Sequence, residues 1–82
     1  MSTIIVGYKK VDFNRDGSEV HGYRIYLASE PESENEFGMI TDNCFLSSQK
    51  FQDANIVKLY KSQAKVLPIY NKYGKINTIR EE

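Results

Sequence analysis

Ser47-Ser48-Gln49-Lys50-Phe51-Gln52-Asp53-Ala54-Asn55 is the stretch that decides the fold. A serine hydroxyl can cap a helix at its start, and asparagine tolerates the left-handed conformation that closes one. The spacing predicts about two turns, with Phe51 facing inward and Asn55 ending them. On either side the chain is strand-like, so one short helix interrupts a β protein.

Upstream, Thr3 to Phe13 is the first expected strand. Ile4, Val6 and Tyr8 share one parity, whereas Val11 and Phe13 share the other. A parity change beside Gly7 predicts a bulge or sharp bend. Asn14-Arg15-Asp16-Gly17 then places Asp-Gly where a tight hairpin turn needs positive φ. Ser18 to Ser29 is the second strand. Tyr23, Ile25 and Leu27 form its core face, and Gly22, Arg24, Tyr26 and Ala28 form an outward one. The polar connection Glu30 to Gly38 is interrupted by Pro31, and Met39 to Ser47 returns as the third strand, with bulk from Cys44, Phe45 and Leu46.

Downstream, Ile56 to Ser62 leads out of the helix towards the last hairpin, with Ile56, Val57, Leu59 and Tyr60 expected to cover the end of a barrel. The last strand pair, Gln63 to Arg80, flanks the loop Asn71-Lys72-Tyr73-Gly74-Lys75, in which Gly74 can supply the positive φ of the turn. Pro68 cannot donate to a ladder, so part of the fourth strand is expected at an edge or bulge. Strand, strand, strand, short helix, strand, strand is the order of an OB-fold. The expected class is therefore all-β: a five-stranded Greek-key OB-fold barrel with one short helix between strands 3 and 4. An SH3-like barrel competes with it but usually has no helix at that point. The 82 residues fit one domain, residues 1–82, with an acidic loop at 30–38.

Charge is unevenly spread. Formal net charge is zero, yet Glu30, Glu32, Glu34, Glu36 and Asp42 are five acids in a segment without a base. Outside it six acids face eleven bases, a surplus of five positive charges. Such segregation can set a basic face against an acidic loop. The glutamates lack the glycine-containing pattern of a calcium loop, so a solvated loop is the expectation and no metal site is assigned. His21 and the single Cys44 stand on different strands without a nucleophile motif, and phosphate-binding or zinc-binding spacings do not occur. Neither an enzyme nor a bound cofactor is expected. No run is long and apolar enough to span a membrane and no secretory signal precedes Ile4, so cytoplasm is the expected compartment.

Two places point to nucleic acid. Arg24 and Tyr26 set a cation beside a stacking surface, which suits a single strand, though a solvated strand with one surface tyrosine has the same pattern. Tyr73, between Lys72 and Lys75, either stacks on a base at the hairpin tip or folds back over its own hairpin. On these residues the chain resembles the small single-stranded-DNA-binding proteins of phages and mobile elements, of the filamentous-phage gene V type. In that family an aromatic beside a glycine on a late hairpin stacks on the bound strand, and Tyr73-Gly74 takes the matching place. Its basic and tyrosine residues on early strands are matched by Arg15, Arg24 and Tyr26. The resemblance implies a homodimer, a role in DNA replication or transfer, and binding without sequence preference. The expected contact set is Tyr8, Tyr26 and Tyr73 for bases and Lys10, Arg15, Arg24, Lys72 and Lys75 for phosphates. Single-stranded DNA is the expected partner, with RNA possible and no membrane involved. The competing reading is a protein-interaction module using the acidic loop and the tyrosine-rich surface.

Overall fold

The computed structural model describes residues 3–31 and 34–82. The chain runs β1 (Thr3–Arg15), β2 (Ser18–Ser29), β3 (Ile40–Ser47), α1 (Ser48–Asp53), α2 (Ile56–Ser62), β4 (Val66–Tyr70) and β5 (Ile76–Glu81). It is mostly β with little helix. The ladders form two antiparallel sheets, β1-β2-β3 and β4-β5. Side-chain packing brings β4 against β1 and β5 against β3, and no ladder among the described residues closes the two sheets into a barrel.

The first hairpin forms as its sequence predicts. Asp16 and Gly17 both take positive φ, 51° and 81°, the pair of values that matches a two-residue turn to the twist of its strands. The bulge near Gly7 is present: Ile5 pairs with Leu27 and Gly7 with Tyr26, leaving Val6 as the extra residue. It moves the core position by one residue, because Ile5 is buried while Ile4 is partly buried and Val6 exposed. Past the bulge, Tyr8 pairs with Ile25 and so faces inward. β3 accompanies β2 only from Gly22 onward, so Asp12 to His21 and the turn between them project as a two-stranded ribbon.

That ribbon has one polar clasp. His21 Nδ1 donates to Asp12 Oδ1 at 2.7 Å and Nε2 to Glu19 Oε2 at 3.3 Å. The Asp12 carboxylate first, then Glu19, raises the His21 pKa above its ordinary 6.5. A raised pKa in the folded state means that the clasp stabilises fully below the unfolded value and fades as pH rises through the folded one. The ribbon is therefore expected to be firmest below pH 6.5 and to loosen once the pH passes the raised folded value. An NMR titration of the His21 ring checks this: Asp12→Asn should return its midpoint towards 6.5, and an unchanged midpoint would remove Asp12 as the cause.

Two short helices replace the one expected between the third and fourth strands. Ser47 caps α1, its Oγ accepting from the Lys50 N–H at 3.4 Å. Asn55 is left-handed, with φ 53°, and ends that helix as predicted, yet the chain re-enters helix at once instead of leading straight out. Ile56 and Leu59, three apart, both point into the core, and a helical turn is what lets both reach it. Gln63, also left-handed, closes α2, and the Gln63 and Ala64 N–H groups donate to Tyr60 O and Leu59 O. The core joins Ile5, Ile25, Leu27, Cys44, Leu46, Phe51, Ile56, Leu59, Val66 and Ile79, drawn from both sheets and both helices. Burial pushes the Cys44 thiol up to about 11, with Asp42 adding to the rise. It therefore stays a neutral, packed thiol at ordinary pH. No helix among the described residues is long and apolar enough to cross a membrane.

Candidate nucleic-acid interface

The hairpin loop between β4 and β5 is ordered by its first residue. The Asn71 side-chain oxygen accepts from the Tyr73 N–H at 2.8 Å and the Lys75 N–H at 3.1 Å. Its backbone N–H donates to Lys75 O and its carbonyl accepts from Gly74 N–H. An asparagine that caps its own turn in this way holds the loop without help from the rest of the fold. Gly74 has the positive φ expected of it, 78°. Tyr73 stands out from this frame, 74% exposed, and does not fold back over the hairpin. Lys72 Nζ lies 5.2 Å from the centre of its ring, a cation–π contact that sets an ammonium beside an open aromatic face.

The second part of the site is the outer face of the three-stranded sheet. Ladder register puts Lys9, Arg24 and Phe45 in one cross-strand row, with Gly7, Tyr26 and Asn43 in the next. Arg24 donates from its guanidinium to Asn43 Oδ1 at 2.9 Å, which fixes the side chain along the face. Phe45 covers Gly22, where an added Cβ would meet the ring at 2.3 Å and the Leu46 carbonyl oxygen at 2.5 Å. Phe45 also meets Phe13 edge to face at 5.8 Å. The face read from sequence as outward is thus partly covered: Gly22 and Ala28 are buried and Arg24 and Tyr26 half-buried.

A cleft of about 340 Å³ lies between β3 and the last hairpin, lined by Asp42, Asn43 and Phe45 on one side and by Tyr70, Gly74 and Lys75 on the other, so its charged residues are one acid and one base. Lys75 lines this cleft itself, and Arg24 and Tyr26 adjoin it through Asn43, which accepts from Arg24 and pairs with Tyr26. The other expected contact residues lie elsewhere. Tyr8 is on the inner face, where its ring packs edge to face on Tyr23, Phe51 and Tyr60 while Tyr23 and Phe51 stack at 3.7 Å. Lys10 pairs with Tyr23 and shares that inner parity, at an exposed position. Arg15, opposite Ser18 at the ribbon tip, stands roughly 26 Å along the strand from Tyr26 at about 3.3 Å per residue.

Sequence reasoning passed over Asn71, Asn43, Phe45 and Lys9. The Asn71 signal was available, since an asparagine two residues before the residue whose N–H it takes is a known turn pattern. Phe45 carried none, because Cys44-Phe45-Leu46 is apolar throughout and shows no alternation. The acidic stretch offers less: Glu30, Glu34 and Glu36 are exposed, and Glu32 lies outside the described residues. Among the described residues no group of three or more His, Cys, Asp or Glu could hold a metal ion. Compared with protein-family models, curated proteins and solved structures, this chain matches none.

Proposed function

We propose that this chain binds single-stranded nucleic acid, DNA in the first instance, without reading its sequence. The observation that carries the reading is Tyr73, an open ring on a self-ordered loop with Lys72 against it and Lys75 beside it. A base stacks on the ring and the ammonium groups take the flanking phosphates, which needs no particular base. The cleft behind the loop leads the strand on to Arg24 and Tyr26. Arg15 is reached only by a longer strand, and Tyr8 and Lys10 take no part on this face.

An OB-type Greek-key barrel is the architecture proposed with it. Helices between the third and fourth strands, β1 against β4 and β3 against β5 support that reading. It places the proposed track across the second and third strands and the last loop, where such barrels hold oligonucleotides.

Fluorescence anisotropy with a labelled oligothymidine tests the proposal. Binding should be micromolar or tighter at low salt and fall steeply as salt is added, because condensed counterions are released. Lys72→Ala should flatten the dependence of log K on log salt by roughly 0.7–1. A slope that does not change removes Lys72 from the phosphate contacts. No binding at low salt overturns the proposal in favour of a protein-interaction module built on the acidic loop.

A further inference from the structure

Two depressions of opposite sign lie on this molecule away from Tyr73 and Arg24. The first is a cleft of about 440 Å³ where the ends of β1, β2 and β3 approach β4. Among the described residues that line it, the charged ones are Glu30, Glu36 and Asp42. Its apolar wall is only half covered: Ile40, Leu67 and Tyr70 are 41%, 38% and 57% exposed. The second is a broad, shallow depression of about 820 Å³ along α1 and α2. Its charged lining residues are Lys58 and Lys61, three apart on one side of α2, with the exposed Val57 between the helices' polar positions.

We propose that the α2 face of one copy docks into the acidic cleft of a second copy, so that chains associate head to tail. Each surface joins apolar area to charge of a single sign, and the two signs are opposite. Like-signed grooves repel, which disfavours a two-fold contact of either groove with itself, whereas the unlike pairing lets lysines meet carboxylates around an apolar centre. Zero net charge removes the long-range repulsion between copies that a strongly charged chain would feel. Because the two surfaces are different, each docked pair leaves one of each kind free, and the contact repeats as a row unless its rotation closes a ring. Neither groove includes Tyr73 or Arg24, although the acidic cleft shares Tyr70 and Asp42 with the cleft behind the loop, and the association is tested without nucleic acid.

The test is a charge swap followed by sedimentation velocity. At low salt the wild-type chain should show an average mass that rises with concentration past that of a dimer, and high salt should reverse this. Lys58→Glu with Lys61→Glu makes both grooves acidic, and Glu30→Lys with Glu36→Lys makes the cleft basic like the helix face. Each variant alone should stay monomeric at low salt. Their equimolar mixture should regain the association, since every groove then has an unlike partner. All four side chains are exposed, and circular dichroism checks that the variants keep the fold. A wild-type chain that is monomeric at every concentration overturns the proposal, as does a closed dimer that neither variant alters or a mixture that fails to reassociate. A monomeric chain whose Ile40 and Leu67 resonances shift with a lysine-rich peptide also overturns it and assigns the cleft to a different partner.

Discussion

Tyr73→Ala is expected to weaken oligothymidine binding roughly 5- to 150-fold, the equivalent of about 1–3 kcal/mol for one stacked base. The loop is expected to survive the change. Its hydrogen bonds come from Asn71 and the backbone, and the Tyr73 ring contributes none of them. Little apolar burial is lost either, because the residue is 74% exposed. The thermal midpoint should therefore stay within a degree or two while affinity falls. Anisotropy and a melting curve on the same preparation separate the two effects. Wild-type affinity in the variant removes the stacking role. A collapse of both affinity and midpoint means that the ring supports the hairpin instead. Tyr73→Phe should keep most of the binding, since a phenyl ring stacks as well as a phenol.

Gly22→Ala is expected to act in the opposite way, on stability before binding. The added methyl would sit 2.3 Å from Phe45 Cζ and 2.5 Å from the Leu46 carbonyl oxygen. The ring can swing aside, but the carbonyl belongs to the paired strand and moves only if the β2–β3 ladder shifts, since Gly22 pairs with Ser47 there. Overpacking of this kind costs about 1–3 kcal/mol, which for a domain of this size lowers the melting midpoint by roughly 5–20 °C. Calorimetry reads the effect directly. A midpoint unchanged from wild type would mean that Phe45 does not rest on Gly22. Because Phe45 shares its cross-strand row with Arg24, a displaced ring should also loosen the Arg24 face, and affinity measured well below the new midpoint should fall slightly.

Much of this fold was legible because alternation is strong where one face is buried. The second strand emerged with its bounds and core face, and Asp16-Gly17 marked its turn. The bulge beside Gly7 was visible as a parity break, but the break alone does not say which residue is extra. The sequence put Ile4, Val6 and Tyr8 on one face, whereas the bulge at Val6 buries Ile5 and turns Tyr8, expected to stack on a base, to the inner face. The second helix was missed for another reason: seven residues are too short for a helical period to stand out from a covering loop. At the candidate site, Tyr73, Lys72 and Lys75 could be found from the sequence because a hairpin tip is local. Phe45 and Asn43 could not, since their place beside Arg24 and Tyr26 comes from pairing between distant strands.

The separation of the two ladders bears on how well such a site can be aligned. Arg24 and Tyr26 belong to one hydrogen-bonded sheet, and Tyr73 with its lysines belongs to the other. Among the described residues no strand pairing sets the distance between these halves, so their preorganisation rests on packing, with Ile79 and Val66 of the hairpin sharing one buried cluster with Ile5, Leu46 and Ile56. A shortened side chain in that cluster would widen the spread of separations without removing any group that meets the ligand. It would appear as a faster off-rate and a larger entropic penalty on binding, with every contact residue still in place.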